Sequence, residues 1–187
     1  MINYPFGIQI DETKKEKTNK NSYKNRGLTL ESLLNEANSY YISIDKALIY
    51  KKPTPIQVVK INKDNIINEA YFKSPSTTDY NGIYKGKYID YEAKETKSKT
   101  SFSLNNIKKH QITHLLNVEK HCGIAFIIVY FTVLDEIYIY PSFNLNKIIE
   151  SNKKSISIEE FRTNGHLIKL SVTPKLDYLK IIDQVYF

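Results

Sequence analysis

Eight consecutive apolar residues, "IAFIIVYF" from Ile124 to Phe131, constrain this chain more than any other stretch. Successive side chains of a strand point to opposite faces, so a strand with one wet face alternates apolar and polar residues. This run does not alternate, and it predicts a strand covered on both faces. It is also far shorter than the ~20 residues a helix needs to cross a bilayer. The sequence "MINYPFGIQIDETKKEK" at the start lacks the apolar centre of a secretion signal, so the expectation is a cytoplasmic protein without membrane association. A chain of 187 residues, 41% of them hydrophobic, suits one core with appendages.

The remaining elements are read around that strand. Leu30, Leu33, Leu34 and Ala37 form the i, i+3, i+4, i+7 stripe of an amphipathic helix, with Thr29 as its N-cap. "KALIYKK" predicts a short strand that the prolines of "KKPTP" interrupt. "IQVVKIN" and "IINEAYF" predict a protruding hairpin about a polar turn from Asn62 to Asn65. "SLNNIKKHQITHLLNVEKHCG" predicts a helix with Ile107, Leu115 and Val118 on one face and a stop at Gly123. "DEIYIYP" reads as a more exposed strand, Ser157 with Glu160 as the capping box of a short helix, and "PKLDYLKIID" as a closing helix. The fold class expected is α/β, a mixed sheet flanked by helices. Residues 1–25, with "KKEKTNKNSYKN", read as a mobile basic arm, and residues 26–187 as a single domain.

The chemistry concentrates between Thr77 and Lys97, "TTDYNGIYKGKYIDYEAKETK". On a strand, Tyr88, Asp90, Glu92 and Lys94 share one face, while Ile89, Tyr91 and Ala93 share the other, which should be the buried one. A two-residue turn at Lys85-Gly86 makes the numbers of paired residues sum to 171, which sets Asp79 opposite Glu92. Opposed carboxylates repel unless a cation lies between them, and oxygen ligands suit Mg²⁺, with Mn²⁺ as a substitute. Lys94 would border the same pocket and act on a phosphate. Asp90 is a rival ligand, Asn81-Gly82 is a rival turn, and a solvated strand of alternating charge is the plain alternative. Gln111 interrupts an inward helical stripe, either as a buried amide bonded to backbone or as an oxygen of the site. His110 and His114 read as surface or boundary residues, and Cys122 as a packing residue.

The net charge of +7 favours an anionic partner, although only Arg26 and Arg162 among the 27 basic residues are arginines. A single cysteine excludes an internal disulfide.

The segments "NRGLTLESLLNEANSYY", "IYKKPTPIQVVK", "STTDYNG" to "DYEAKET" and "TPKLDYLKIID" together resemble the RecU family of Holliday junction resolvases. The resemblance implies a restriction-endonuclease-like fold with an Asp, then Glu-x-Lys, signature at Asp79, Glu92 and Lys94. It further implies a Mg²⁺ site completed by Thr77 and Gln111, and a stalk over residues 51–72 that enters the junction centre. DNA contacts are expected at Arg26, Lys51, Lys52, Lys60 and Lys73. The implied partners are four-way junction DNA, a second copy of the chain in a homodimer, and RecA with branch-migration proteins. Rival functions are a nuclease of the same fold acting on ordinary duplex, and a non-catalytic protein that holds junctions or RecA.

Overall fold

The computed structural model describes residues 29–64, 66–73 and 76–187. The arm at residues 1–25 and Arg26 lie outside the described residues. The first helix, α1 (Leu30–Ser43), is capped by the Thr29 hydroxyl, which accepts from Ser32 N at 3.1 Å, and its four predicted stripe residues are all buried. After it come β1 (Leu48–Lys51), the hairpin β2 (Ile56–Ile61) and β3 (Ile67–Phe72), and the hairpin β4 (Tyr80–Tyr84) and β5 (Lys87–Thr96). The chain continues through β6 (Ser101–Ser103), a 3-10 turn at Leu104–Asn106, α2 (Lys109–Lys120), β7 (Ile124–Phe131) and β8 (Glu136–Pro141). It ends with α3 (Ser142–Glu150), β9 (Ser155–Ser157), α4 (Ile158–Asn164), β10 (His166–Ile168) and α5 (Leu179–Tyr186).

Six strands form the central sheet in the order β1-β4-β5-β7-β8-β10. Only β5 and β7 run parallel, joined by the crossover that carries α2, and the sheet is therefore mixed. All eight residues of β7 are buried, as the apolar run requires. Ile124, Phe126, Ile128 and Tyr130 pack with α1 and α5 through Leu34, Tyr41, Leu179 and Ile182. Ala125, Ile127, Val129 and Phe131 pack on the opposite face with Leu115, Leu145 and Phe161 from α2, α3 and α4. One strand thus feeds two cores, which holds the layers in register and leaves the sheet centre dry. On the first face the buried Asn38 is satisfied within a polar triangle, donating to Tyr91 OH at 3.1 Å and accepting from Tyr178 OH at 2.5 Å.

Several expectations are corrected. Strand β8 is buried along five of its six residues, because β10 occupies the edge beyond it and helices cover both sides. Its tyrosines alone suggested exposure; Tyr138 and Tyr140 instead reach rim carboxylates, Glu136 at 2.7 Å and Glu160 at 2.8 Å. Helix α2 begins at Lys109, so Ile107 is buried from the preceding 3-10 turn rather than from the helical stripe. Cys122 is exposed, in left-handed backbone at φ 63° just past α2.

The β2–β3 pair stands apart from the main sheet, and every residue in it except Val58 is exposed. Its turn is held by Asn62, whose Oδ1 accepts from Asp64 N and Ile66 N, both at 2.9 Å.

Candidate active site

The β4–β5 hairpin turns at Lys85 and Gly86, with φ of 48° and 77°, the left-handed pair a tight two-residue turn demands. Pairing runs from Tyr84↔Lys87 to Tyr80↔Tyr91, so paired numbers sum to 171. Gly82 lies inside this ladder and does not make the turn. Its missing side chain serves β1 instead, since a Cβ there would fall 1.9 Å from the Leu48 carbonyl oxygen.

Asp79 lies one residue beyond the last paired position, and the extended register carries it to Glu92. Its Oδ2 accepts from Ala93 N at 3.0 Å and lies 3.8 Å from Lys94 Nζ. Lys94 donates to Glu92 Oε1, and Gln111 Nε2 donates to the same oxygen at 2.8 Å. Asp79, Glu92, Lys94 and Gln111 thus form one connected group, drawn from the segment before β4, from β5 and from the first turn of α2. The Gln111 carbonyl oxygen accepts from Lys108 N at 2.9 Å, so the amide ties the helix N-terminus to Glu92.

The face that carries Glu92 is not the solvated side of the strand. Asp90 and Glu92 are both fully buried, along with Ile89 and Tyr91, because β4 and β7 flank β5 and α2 roofs the acidic face. Burial drives the Glu92 pKa up to about 7; the negative charge of Asp79 adds to the rise and Lys94 opposes it. The Oε2 atom of Glu92 is buried without a hydrogen-bond partner among the described residues. Two open clefts meet here. One, of about 490 Å³, is lined by Glu31, Lys51, Asp79, Lys94 and Glu95. The other, of about 600 Å³, is lined by Phe72, Lys73, Asp79, Glu92, Lys94 and Gln111. Asp79 and Lys94, with Thr54 and Ser76, line both.

The other expected site residues are distributed more widely. Thr77 is exposed, and its hydroxyl accepts from Lys52 Nζ at 2.9 Å. Lys52 points inward, with its ammonium 2.7 Å from Asp90 Oδ2 and its side chain only 13% exposed. Lys51 pairs with Glu31 across the first cleft. Lys60 sits on the β2–β3 hairpin, 3.1 Å from Glu69. Lys73 is exposed and enters the second cleft beside Glu92. Sequence reasoning missed His114, whose Nε2 lies 2.9 Å from Asp90 Oδ2. The available signal was its position three residues after Gln111, one helical turn along the same face.

The fold and site together define an α/β protein whose central hairpin presents a buried carboxylate, a second carboxylate and a lysine to open, polar clefts. The family model "Recombination protein U" matches residues 25–184. Curated relatives from Bacillus thuringiensis (strain Al Hakam) and Bacillus mycoides (strain KBAB4), both named Holliday junction resolvase RecU, are 46% and 45% identical. Each match covers 100% of this chain and 98% of the relative. The chain belongs to the RecU family. Among solved structures, the Archaeoglobus fulgidus Holliday junction resolvase Hjc is similar at a TM-score of 0.43 and 12% identity, over 72% of this chain and 95% of that one.

Proposed function

We propose that the protein resolves four-way DNA junctions, as the name of its curated relatives, Holliday junction resolvase, suggests, and that it does so as a divalent-metal-dependent endonuclease nicking two opposing strands. The observation that carries the metal assignment is Glu92 Oε2, a buried carboxylate oxygen with no hydrogen-bond partner among the described residues. Such an atom is costly unless something positive completes it. Asp79 and Glu92 supply hard oxygen donors of the kind Mg²⁺ or Mn²⁺ prefers, with Gln111 bonded to Glu92 and Thr77 nearby in the chain. Among the described residues no cluster of three His, Cys, Asp or Glu side chains could hold an ion by itself. Mg²⁺ usually takes one or two protein carboxylates and fills its remaining positions with water and phosphate.

A divalent ion bound here would polarise a phosphoryl oxygen of the scissile group. The Lys94 ammonium, fixed against Glu92 and close to Asp79, would offset the negative charge carried by the phosphoryl oxygens as water attacks phosphorus. Asp79 and Glu92 fix the place of that charge, and the open clefts that Asp79 and Lys94 line leave room for a strand of DNA. Symmetric nicking of two strands needs two such sites, which is the reason a homodimer belongs to this reading. The fold is read as restriction-endonuclease-like, with β2–β3 as the stalk, Lys60 and Lys73 near the DNA path, and RecA and branch-migration proteins as further partners.

The test is incubation of a labelled four-way junction and a matched linear duplex with Mg²⁺. Paired nicks in the junction alone are expected. Asp79→Ala and Glu92→Gln should each lower the cleavage rate at least about a hundredfold while junction binding survives. Equal cleavage of the duplex would replace the reading with that of a general nuclease, and nicking by either variant at the unmodified rate would overturn the site.

A further inference from the structure

Two residues before Glu92, on the same face of β5, lies a second acid that the proposed reaction leaves without a role. Asp90 is fully buried and gathers donors from four places. Its Oδ2 lies 2.7 Å from Lys52 Nζ, 2.7 Å from the Tyr88 hydroxyl and 2.9 Å from His114 Nε2. Its Oδ1 accepts from the Thr78 hydroxyl. Unlike in Glu92, each of its oxygens accepts at least one hydrogen bond. A buried carboxylate this well partnered fixes the groups around it, because moving any of them would strand a charge in a dry place.

Two of those groups, Lys52 and Thr78, lead to Asp79. The Lys52 N–H donates to the Asp79 carbonyl at 2.8 Å, and its ammonium donates to the hydroxyls of Thr77 at 2.9 Å and Thr78 at 2.6 Å. Asp79 itself lies just past the last paired residue of the β4–β5 register, Tyr80, and its carbonyl is held there by the Lys52 N–H. Lys52 also follows directly on β1, where the chain leaves for the β2–β3 hairpin, and Lys73 N closes that hairpin's root on Pro55 O at 3.1 Å.

We propose that Asp90 is a positioning residue that acts through Lys52 and Thr78 to hold Asp79 where it and Glu92 share a cation, and that it ties the root of the hairpin to that geometry. The inference rests on the metal site described under the proposed function.

Thr78 is the cleanest handle. Thr78→Val keeps the shape of this fully buried side chain and removes both the donor to Asp90 and the acceptor for Lys52, whereas Thr78→Ser keeps the hydroxyl. Free Mn²⁺ is titrated by electron paramagnetic resonance in the absence of DNA, and single-turnover junction cleavage is followed in parallel. Thr78→Val should weaken Mn²⁺ binding by about 10–100-fold and slow cleavage at limiting metal by a similar factor, the range typical for partners of metal ligands. Thr78→Ser should restore most of both, and Asp90→Asn should act in the same direction as Thr78→Val. Should Asp90→Asn fail to fold, the Thr78 pair decides the matter alone. A folded Thr78→Val protein with unmodified Mn²⁺ affinity and cleavage rate overturns the inference, even if its melting temperature has fallen. Asp79→Ala separates the two readings: Mn²⁺ binding retained in that variant overturns the metal site itself, whereas binding lost there but kept in Thr78→Val overturns only the positioning role.

Discussion

Every residue of β3 is exposed, whereas β5 buries four in succession from Ile89 to Glu92. The hairpins to which they belong have similar lengths and follow one another in the chain, but their surroundings differ. Strands β2 and β3 pair only with each other and keep large apolar side chains such as Tyr71 and Phe72 in solvent, 60% and 77% exposed. Strands β4 and β5 lie between β1 and β7; one face packs into the core through Tyr80, Tyr84, Ile89 and Tyr91, and on the other face α2 covers Asp90 and Glu92. An isolated two-stranded hairpin is marginal in water, so the first is held by its root and the second by the whole domain. The comparison separates what the domain needs in order to fold from what it holds out toward a partner.

Replacing a core residue of the buried hairpin should expose that difference most strongly. Tyr91 is fully buried and stacked between Tyr80 and Phe126, each with ring centroids 4.9 Å away. Tyr91→Ala is expected to cost about 3–5 kcal/mol in urea unfolding, whereas Tyr71→Ala on the exposed hairpin should stay within about 0.5 kcal/mol. Comparable losses in the two variants would mean that the outer hairpin is part of the core after all. Shortening that hairpin to a tight turn between Ile56 and Phe72, which face each other at its base, sharpens the contrast. The unfolding midpoint should stay close to that of the full chain, while the preference for a four-way junction over duplex falls about tenfold or more, equivalent to ~1.4 kcal/mol. A shortened protein with full preference would move junction recognition elsewhere. The smallest effect is expected from Lys60→Ala, which removes one exposed cation from the hairpin. If Lys60 meets a phosphate, the slope of log affinity against log salt should become shallower by about 0.9. An unchanged slope would leave Lys60 to Glu69 alone.

Much of this contrast was legible in local pattern. The unbroken apolar run at Ile124–Phe131 announced a strand between two cores, and the Lys85-Gly86 turn determined the register that brings Asp79 to Glu92. The Thr29 cap and the Ser157 cap were equally local, each a hydroxyl three residues ahead of the amide it receives. Burial was harder to read. The alternation of "YIDYEAK" assigned the acidic face to solvent, yet Asp90 and Glu92 are buried beneath a helix that arrives later in the chain. Lys52 read as a DNA contact, and the fold sets its ammonium against Asp90; His114 read as a surface or boundary residue, and from its half-buried position it reaches the same carboxylate. Strand β8 read as a more exposed strand, and five of its six residues are buried with β10 at the edge beyond it.

The order of residues alone determined the strand at the centre of the sheet, the turns and caps, and the pair of acids with their lysine, because each depends on neighbours a few positions apart or on a register counted from one turn. Only tertiary structure decided which polar groups lie in the dry interior, because that depends on what a distant helix or strand covers. On one strand face, Glu92 keeps a buried oxygen without a partner among the described residues while Asp90 accepts from Lys52, Tyr88, His114 and Thr78, and the fold alone brings those donors to it.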